Sequence, residues 1–353
     1  MILEKGKKII IDAVDGGQIP GATFAFISDK FEEYDNYGYS QTVPEKISNN
    51  VDTLYDMASC SKVIATTTMI LKLIEDNKLS LDSKVIDVLP DFPYEELTIQ
   101  MLLTHTAGLV GDDKAYRNCK SKEEMYEFIK SLPLHNKPGT IVEYSDFGFI
   151  LLGFIIEKLT GSLDEYANEL IFKPLNMNNT MYNPCLKNRN DGCAATELTE
   201  ARGLIKGVVH DGKANILKGL SGNAGLFSNV KDLAKFSKML LDDGYPVLKK
   251  ETVEQFKNCY TQGLNLHRTL GWCIACDEYA CGSKYSKHAI FHTGFSGTSM
   301  YIDFDRKCAI ILLTNRVHPT RSDVSTITNI RNPFHDALLE EFDKQWLKYS
   351  LHL

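Results

Sequence analysis

The residues most able to do chemistry are Ser59 and Lys62, which open a mostly apolar stretch at 63–70. If this stretch is helical, residues three apart share a face, so the lysine amine can reach the serine hydroxyl. A hydroxyl is a weak nucleophile at neutral pH unless a neighbouring base takes its proton. A lysine can be that base only if burial lowers its pKa, and the apolar neighbours would supply the burial. The pair therefore predicts a serine nucleophile activated by lysine.

Such a pair can also arise by chance, and the chain contains a second one, Ser228 and Lys231. There the serine is predicted to be a helix N-cap, followed by charged first-turn residues that leave the lysine in water. The apolar setting of Ser59 distinguishes the first pair from the second.

A second candidate is the loop that contains Tyr144 and Asp146, just after a predicted turn at 137–140. Tyr144 could carry a proton if a nearby ammonium group lowered its pKa. Asp146 could hold the lysine or accept a hydrogen bond from a substrate amide. Ser145 or Asp146 could instead N-cap the helix that follows, and both interpretations could hold together.

The third candidate, residues 291–299, is a predicted strand that ends in glycines. Gly294 and Gly297 would let the backbone approach a ligand closely, and an amide N–H there could face a developing oxyanion. His292 follows His288 by four, a spacing that metal sites on helices use, but four residues of a strand span about 13 Å. We find no further ligands, so no metal and no cofactor is predicted.

Composition and charge argue against several other classes of protein. The chain has 353 residues and a formal net charge of −7. It lacks the basic stripe that a nucleic acid or an anionic membrane would require. Its densest apolar run, 149–156, is far shorter than the roughly 18 to 20 residues that span a bilayer. No export signal is visible, which predicts a cytoplasmic protein, and an exported form with a missing leader is left open.

Nine cysteines are scattered through the chain, which fits free thiols in a reducing compartment better than a disulfide framework. Cys273 and Cys276 form a C-x-x-C in a predicted strand, where residues three apart point to opposite faces. A second C-x-x-C is missing, so a zinc or redox site is the weaker hypothesis. The partner we expect is a small-molecule or peptide substrate, and the oligomeric state is left open.

Periodicity predicts the elements that must position these candidates. Helices share an apolar repeat of three to four residues, and strands share an alternating one. The predicted helices are 3–15, 59–76, 98–104, 122–131, 146–160, 163–171, 230–241 and about 328–349. The predicted strands are 22–28, 34–39, 270–276, 289–293, 299–303 and 308–314.

Strand patterns thus occur at both ends of the chain, and helical patterns fill the middle. The simplest arrangement is an α+β fold in which residues 1–56 and 262–353 form one antiparallel sheet flanked by helices. Residues 57–261 would form a large inserted helical domain. We expect a ligand in the cleft between the two domains.

In their order and separation, the three candidates resemble motifs of one family of serine hydrolases. Ser59-x-x-Lys62, then Tyr144-Ser145-Asp146, then a His-Thr-Gly at 292–294 in place of Lys-Thr-Gly, is similar to the class C β-lactamase and penicillin-binding-protein family. Supporting stretches that resemble the same family are 102–109, 207–211, 221–228 and 312–316. The resemblance covers nearly the whole chain, and it implies the transpeptidase fold of that family, a helical domain set against an antiparallel sheet with helices.

The resemblance also implies a role for each matching residue. Ser59 would be the acylated nucleophile, Lys62 its base or the group that polarises it, and Tyr144 the general base and acid. The amides of Ser59 and Phe295 would form the oxyanion hole. The residues that would contact the substrate are Asp146, His292, Thr293, Gly294 and Phe295.

The chain departs from the stricter family pattern at two positions. Asp146 stands where β-lactamases have asparagine, and His292 stands where they have lysine. Both changes make the site less positive, since an acid replaces an amide and an imidazole of pKa near 6.5 replaces an ammonium. A substrate held by its carboxylate is thereby disfavoured relative to a neutral ester. His105 and His210 lie in family-like stretches, and we assign them structural roles.

The sequence thus predicts a serine hydrolase that forms an acyl-enzyme on Ser59 and cleaves an ester, amide or lactam bond. It could be esterase-like, D-alanyl peptidase-like or a β-lactamase. An α/β-hydrolase would require Gly-x-Ser-x-Gly, which does not occur in the chain. The alternative is a penicillin-binding or sensor protein that is acylated without turnover.

Overall fold

The computed structural model describes residues 1–276, 281–321 and 323–350, with side chains up to residue 346. Its α-helices are Leu3–Asp15 (α1), Thr67–Glu75 (α2), Ile99–Leu103 (α3), Lys122–Ser131 (α4), Asp146–Thr160 (α5), Leu163–Ala167 (α6), Gly212–Ile216 (α7), Val230–Leu241 (α8), Lys250–Glu254 (α9) and Val324–Ser350 (α10). Its strands are Gly21–Ser28 (β1), Glu32–Gln41 (β2), Ile47–Ser48 (β3), Tyr55–Asp56 (β4), Met181–Tyr182 (β5), Ala195–Thr199 (β6), Gly203–Lys206 (β7), Leu226–Ser228 (β8), Cys273–Ile274 (β9), Ala289–Thr293 (β10), Ser299–Asp303 (β11) and Cys308–Thr314 (β12).

The two ends of the chain meet in one antiparallel sheet with the strand order β3-β2-β1-β12-β11-β10-β9. At its centre, β1 pairs with β12, with Ala22 opposite Thr314 and Ser28 opposite Cys308. Next to this pair, β12, β11 and β10 follow as consecutive antiparallel neighbours. This arrangement carries the end of β10, where the His-Thr-Gly motif lies, towards the far side of the sheet.

Helices cover both faces of this sheet, and the alternation of side chains along β1 explains why. Phe24 and Phe26 pack in a buried cluster with α1 and α10, whereas Ala25 and Ile27 belong to the cluster that contains α8. A strand that is covered on both faces is mostly apolar, and residues 24–27 of this one all are. The predicted α+β fold, an antiparallel sheet flanked by helices, is confirmed.

The middle of the chain is mostly helical around α5, whose residues 147–156 are all buried. It packs against α2 and α3. Two small sheets, β4-β8-β5 and β6-β7, also lie there, and most of their strands are too short for an alternating pattern to predict. The division into a sheet domain and an inserted domain at residues 57 and 261 stays a prediction, and α8 from the middle segment packs on β1 and β12.

The predicted helix 59–76 is wrong in detail. Ala58–Cys60 is a turn of 3-10 helix, Lys62–Thr66 is π-helical, and the α-helix begins only at Thr67. Ala58 has a φ of 45°, in the left-handed region that L-residues seldom occupy. The predicted strand 270–276 is likewise reduced to β9. Among the described residues, no helix has the length and apolar composition needed to cross a bilayer.

Candidate active site

A cleft of about 810 Å³ opens where the end of β10 faces the 58–60 turn and the first turn of α5. All but one of the residues proposed from the sequence line it: Ser59, Tyr144, Asp146, His292, Thr293, Gly294 and Phe295. The exception, Lys62, lies beneath the cleft and is completely buried. Tertiary structure thus brings the three motifs to one place.

Side chains from the turn between β10 and β11 hold the segment that carries Ser59. The Ser296 hydroxyl donates to the Asp56 carbonyl at 2.7 Å, and the Thr298 hydroxyl donates to the Met57 carbonyl at 3.1 Å. On the other side, the Asp56 carboxylate accepts the Ala58 N–H at 2.8 Å. These bonds position the serine and stabilise the left-handed backbone just before it.

Gly294 lets this turn come close to the serine segment. A Cβ at this position would lie 2.6 Å from the Met57 carbonyl oxygen and 2.2 Å from the Thr298 hydroxyl, closer than non-bonded atoms approach. The neighbouring Phe295 N–H forms no hydrogen bond with any residue in the described part of the chain. It is therefore available as an oxyanion donor.

We expect Gly294→Ala to lower kcat/KM about a hundredfold or more, the effect of losing one oxyanion donor, because the added methyl must push the turn away from Ser59. Steady-state hydrolysis of p-nitrophenyl acetate measures this. Gly192→Ala is the matched control, since a Cβ there meets nothing within 4 Å. Activity of Gly294→Ala within threefold of wild type would contradict the proposed geometry.

The Lys62 amine makes three hydrogen bonds. It donates to Ser59 Oγ at 3.0 Å, to Asp146 Oδ1 at 2.8 Å and to the Asn223 carbonyl at 2.9 Å. Three acceptors match the three protons of an ammonium group. Burial by itself lowers the pKa of Lys62, but the Asp146 carboxylate outweighs it and leaves the pKa above its usual value. The expectation of a lysine whose pKa is lowered by burial is wrong.

Tyr144 lies in an aromatic and cationic setting. Its ring centre is 4.5 Å from that of His105, 5.0 Å from Lys62 Nζ and 5.7 Å from the guanidinium carbon of Arg268. Burial raises the pKa of the phenol, and the nearby ammonium only partly offsets this. The expected lowering of the Tyr144 pKa is therefore also wrong, and in the resting protein both Lys62 and Tyr144 keep their protons.

Asp146 lies between two lysines. Its Oδ1 pairs with Lys62, and its Oδ2 is 3.1 Å from Nζ of Lys213, which also contacts Asp112 at 3.0 Å. Burial alone would raise the pKa of Asp146, but the two ammonium groups bring it below its usual value. Asp146 is thus a carboxylate that holds Lys62. The Ser145 hydroxyl does not cap the helix that follows, because it donates to the Val110 carbonyl.

Sequence reasoning missed Lys213, whose side chain is only 6% exposed. It lies in α7, two residues after the family-like stretch 207–211, and this proximity was the available signal. The prediction that Ser228, of the pair Ser228 and Lys231, caps a helix is also wrong. Asn229, not Ser228, caps α8, by accepting the Asp232 N–H, while Lys231 lies at the surface near Asp52.

Two buried histidines adjoin the site as neutral rings. His292 Nδ1 lies 3.0 Å from the Thr293 carbonyl, to which it can only donate. His105 Nδ1 lies 3.0 Å from the Ser145 N–H and must accept from it. Burial, with Arg268 adding to it, holds the pKa of each imidazole well below its usual value. His292 is therefore a neutral ring at pH 7.

Arg268 supplies a positive charge instead. It is 4% exposed, lines the cleft and precedes β9. Within the described ranges its guanidinium forms no ion pair, and Nε and Nη1 have no hydrogen-bond partner. Arg268 and Lys213 thus bring positive charge into the site from other elements, while the less positive character expected of positions 146 and 292 stays a prediction.

His210 also lines the cleft. Its ring stacks on Phe295, with 5.8 Å between centres, and its Nε2 lies 2.7 Å from Glu197 Oε2. The backbone N–H of His210 donates to Asp56 Oδ2 at 2.7 Å. His210 thus connects the two segments that would carry the oxyanion donors, which agrees with a structural role.

Comparison with known proteins identifies the family of the chain. The model of the β-lactamase family matches residues 7–333. A protein of Escherichia coli O157:H7 with the provisional name D-alanyl-D-alanine carboxypeptidase is 33% identical over 359 aligned positions, which cover 89% of this chain and 82% of that protein.

Solved structures agree in fold. A class C β-lactamase aligns with a TM-score of 0.77 at 17% identity, covering 95% of this chain and 96% of its own. EstCE1, a hydrolase with promiscuous acyltransferase activity, aligns with a TM-score of 0.77 at 20% identity, covering 96% of this chain and 98% of its own. These matches confirm the resemblance drawn from the motifs. The chain belongs to the β-lactamase family of hydrolases.

Proposed function

We propose that this chain hydrolyses acyl substrates through an acyl-enzyme on Ser59, and that its preferred substrates carry a carboxylate beside the scissile bond, as D-alanyl peptides do. The observation that carries the choice of substrate is the buried guanidinium of Arg268, which forms no ion pair with any described residue. An uncompensated buried charge destabilises a protein by several kcal/mol, and a bound carboxylate would offset this. The provisional name of the Escherichia coli relative supports the same substrate class.

In this proposal Ser59 Oγ attacks the substrate carbonyl, and its proton passes to the ionised oxygen of Tyr144. The N–H groups of Ser59 and Phe295 would stabilise the oxyanion. Tyr144 then returns the proton to the leaving amine as the C–N bond breaks. Water hydrolyses the ester to Ser59 by the reverse sequence of proton transfers. Lys62 remains an ammonium that favours the ionised phenol.

The test compares N-acetyl-D-alanyl-D-alanine with its C-terminal amide, which lacks the carboxylate. We expect wild type to prefer the free acid, and Arg268→Gln to lower kcat/KM for the acid about tenfold or more relative to the amide. Ser59→Ala should lose several orders of magnitude on both substrates. An equal kcat/KM of wild type for the free acid and the amide would contradict the proposed substrate class.

The same substrates test which group carries the charge. An arginine stays charged at all working pH values. The KM for the free acid should therefore be constant from pH 8 to 6, whereas a charge on His292 would make it fall. If the KM of Arg268→Gln falls between pH 8 and 6, the positive charge that binds the carboxylate would be that of His292.

Acylation without turnover is the alternative function. Progress curves decide between the two, because an acylated sensor stops after one equivalent of product per Ser59 and a hydrolase continues.

A further inference from the structure

Lys213 is a buried lysine beside the reacting centre that no step of the proposed reaction uses. Its side chain is only 6% exposed, and its Nζ lies 3.1 Å from Asp146 Oδ2. The other oxygen of Asp146 binds Lys62, so one carboxylate joins two ammonium groups. Because an ammonium group is costly to bury, a second one at this position requires an explanation.

The fold fixes the position of Lys213 through the start of α7. Asp211 caps this helix, and the same carboxylate oxygen accepts from Asn223 Nδ2 at 3.0 Å. The carbonyl of Asn223 in turn accepts from Lys62 at 2.9 Å. The helix that carries Lys213 is therefore tied to the segment that holds Lys62.

Aromatic rings and carboxylates surround the Lys213 ammonium. Nζ lies 4.7 Å from the centre of the Tyr116 ring and 5.8 Å from that of the Phe147 ring. Burial by itself would lower the pKa of Lys213, but the surrounding carboxylates raise it above its usual value. These carboxylates are, in order of their effect, Asp146, Asp211 and Asp112. Lys213 thus carries a positive charge throughout the neutral range of pH.

Of the two carboxylates that Lys213 contacts, Asp146 is the better shielded from water. Asp112 lies 3.0 Å from Lys213 Nζ, but its side chain is 55% exposed, so solvent screens this ion pair. The Asp146 side chain is 17% exposed. The charge of Lys213 therefore acts mainly on Asp146.

The contact with Lys213 also limits what Lys62 can bind. The three protons of Lys62 go to Asp146 Oδ1, to Ser59 Oγ and to the Asn223 carbonyl. If Asp146 Oδ2 were unoccupied, it could compete with Ser59 Oγ for one of these protons. Lys213 engages Oδ2 and so leaves Lys62 directed at the serine.

The pair formed by Asp146 and Lys213 is neutral overall, as is the asparagine that β-lactamases have in place of Asp146. An aspartate alone would place an uncompensated negative charge beside Lys62 and Tyr144. We propose that Lys213 is a positioning residue of the reaction, which orients Asp146 towards Lys62 and offsets its charge, so that the pair takes the place of a neutral asparagine. This inference rests on the proposed function, in which Tyr144 must lose a proton before Ser59 can attack.

The test is the dependence of kcat/KM for p-nitrophenyl acetate on pH from 7 to 10, with the rate of Ser59→Ala subtracted. Three other titratable or charged groups face Lys62 and Tyr144, namely His105, His292 and Arg268. The two histidines stay neutral in this range because the pKa of each lies well below its usual value, and the arginine stays charged. A displacement of the profile therefore reports on Lys62 and Tyr144.

Lys213→Gln keeps a hydrogen-bond donor for Asp146 and loses only the charge. We expect its profile to be displaced by about one unit to higher pH, which makes it about tenfold slower at pH 7. The limiting rate at high pH should stay within threefold of wild type, because Lys213 takes no part in the chemical step. Lys213→Arg, which restores the charge, should keep the wild-type profile.

Lys231→Gln is the matched control and should also keep the wild-type profile, since Lys231 is 43% exposed and pairs with Asp52 at the surface. Coincident profiles for Lys213→Gln and wild type would overturn the proposal. So would a lower limiting rate without displacement, the result expected of a purely structural lysine. An increase in KM alone would mean that Lys213 binds the substrate instead, and would overturn it as well.

The double variant Asp146→Asn with Lys213→Gln removes the pair as a whole and still decides the matter if Lys213→Gln does not fold. The single change Asp146→Asn should displace the profile to lower pH, because it leaves the charge of Lys213 uncompensated. Adding Lys213→Gln should bring the profile back to within about half a pH unit of wild type. A double variant whose profile coincides with that of Asp146→Asn would show that the charge of Lys213 is without effect.

These outcomes are separate from those that test the proposed function. Hydrolysis that survives Ser59→Ala would reject the acyl-enzyme, and the subtraction removes it before profiles are compared. A Ser59-dependent rate whose pH profile ignores Lys213 would retain the proposed function and reject only the positioning role.

Discussion

Replacing Asp146 with asparagine should make the enzyme about tenfold or more faster at pH 7 on a neutral ester. In wild type the Asp146 carboxylate raises the pKa of both Lys62 and Tyr144, so the deprotonated form that accepts the serine proton is scarce at neutral pH. Without the carboxylate, burial lowers the pKa of Lys62 against the opposing effect of Tyr144 alone. Removing a charge about 3 Å away in a partly buried site is worth about 1 to 2 pKa units.

The measurement is kcat/KM for p-nitrophenyl acetate from pH 6 to 10, with the rate of Ser59→Ala subtracted. Wild-type activity should increase with pH across this range, and Asp146→Asn should show the same increase displaced towards lower pH. Asp112→Asn is the matched control, because its carboxylate is 55% exposed and, among the described residues, forms an ion pair with Lys213 alone. It should produce a much smaller displacement. Identical pH profiles for wild type and Asp146→Asn would show that this carboxylate does not set the protonation of the pair.

Lowering the pH from 7 to 5 should remove about 4 kcal/mol of unfolding free energy through His318 and His335 alone. Burial lowers the pKa of each to about 4. The unfolded chain takes up these protons below about pH 6.5 and the folded chain does not, so stability falls as the pH drops. At pH 5 the difference is about 1.5 pH units, or about 2 kcal/mol, for each histidine.

Geometry supports the neutral state of His318, because its Nε2 lies 2.9 Å from the Thr42 N–H and must accept from it. His105 and His292 add to the loss in the same direction. Since most domains have only about 5 to 15 kcal/mol of stability, we expect the protein to approach acid unfolding near pH 5.

Urea unfolding at pH 7, 6 and 5 measures this loss. His318→Gln should reduce the dependence on pH by about half of the part due to the two histidines, because glutamine does not titrate. His135→Gln is the control, since the His135 side chain is 65% exposed. A stability that is flat between pH 7 and 5 would show that these rings are protonated in the folded protein.

The sequence alone was sufficient to predict those parts of the fold that depend on local or periodic patterns of residues. The 3.6-residue repeat predicted α4, α5 and α8 to the residue, and alternation predicted β10, β11 and β12. Three ordered motifs were enough to indicate the family and to select seven of the residues that line the cleft. Such signals are local, because each depends only on residues within a few positions of one another.

Periodicity did not predict the broken helix around Ser59. Its 3-10 turn and π-helical segment depend on Ala58, whose backbone is stabilised by bonds from Asp56 and by the turn after β10. The strands β4, β5 and β8 are two or three residues long, which is too short for any repeat. The bonds from the turn after β10 and the pairing of these strands form only when distant segments meet, so local sequence carries little record of them.

Only the tertiary structure decided the electrostatics of the site. The spacing of Ser59 and Lys62 fixes which face they share. The direction in which the pKa of Lys62 shifts is set by Asp146, 84 positions later. Likewise, His292 lacks the positive charge of the lysine in the family motif. Arg268, which lies in a different part of the fold, supplies a positive charge instead. A buried pKa depends on every charge within a few ångströms, and which remote charges fold to that distance is a property of the packed chain rather than of any motif.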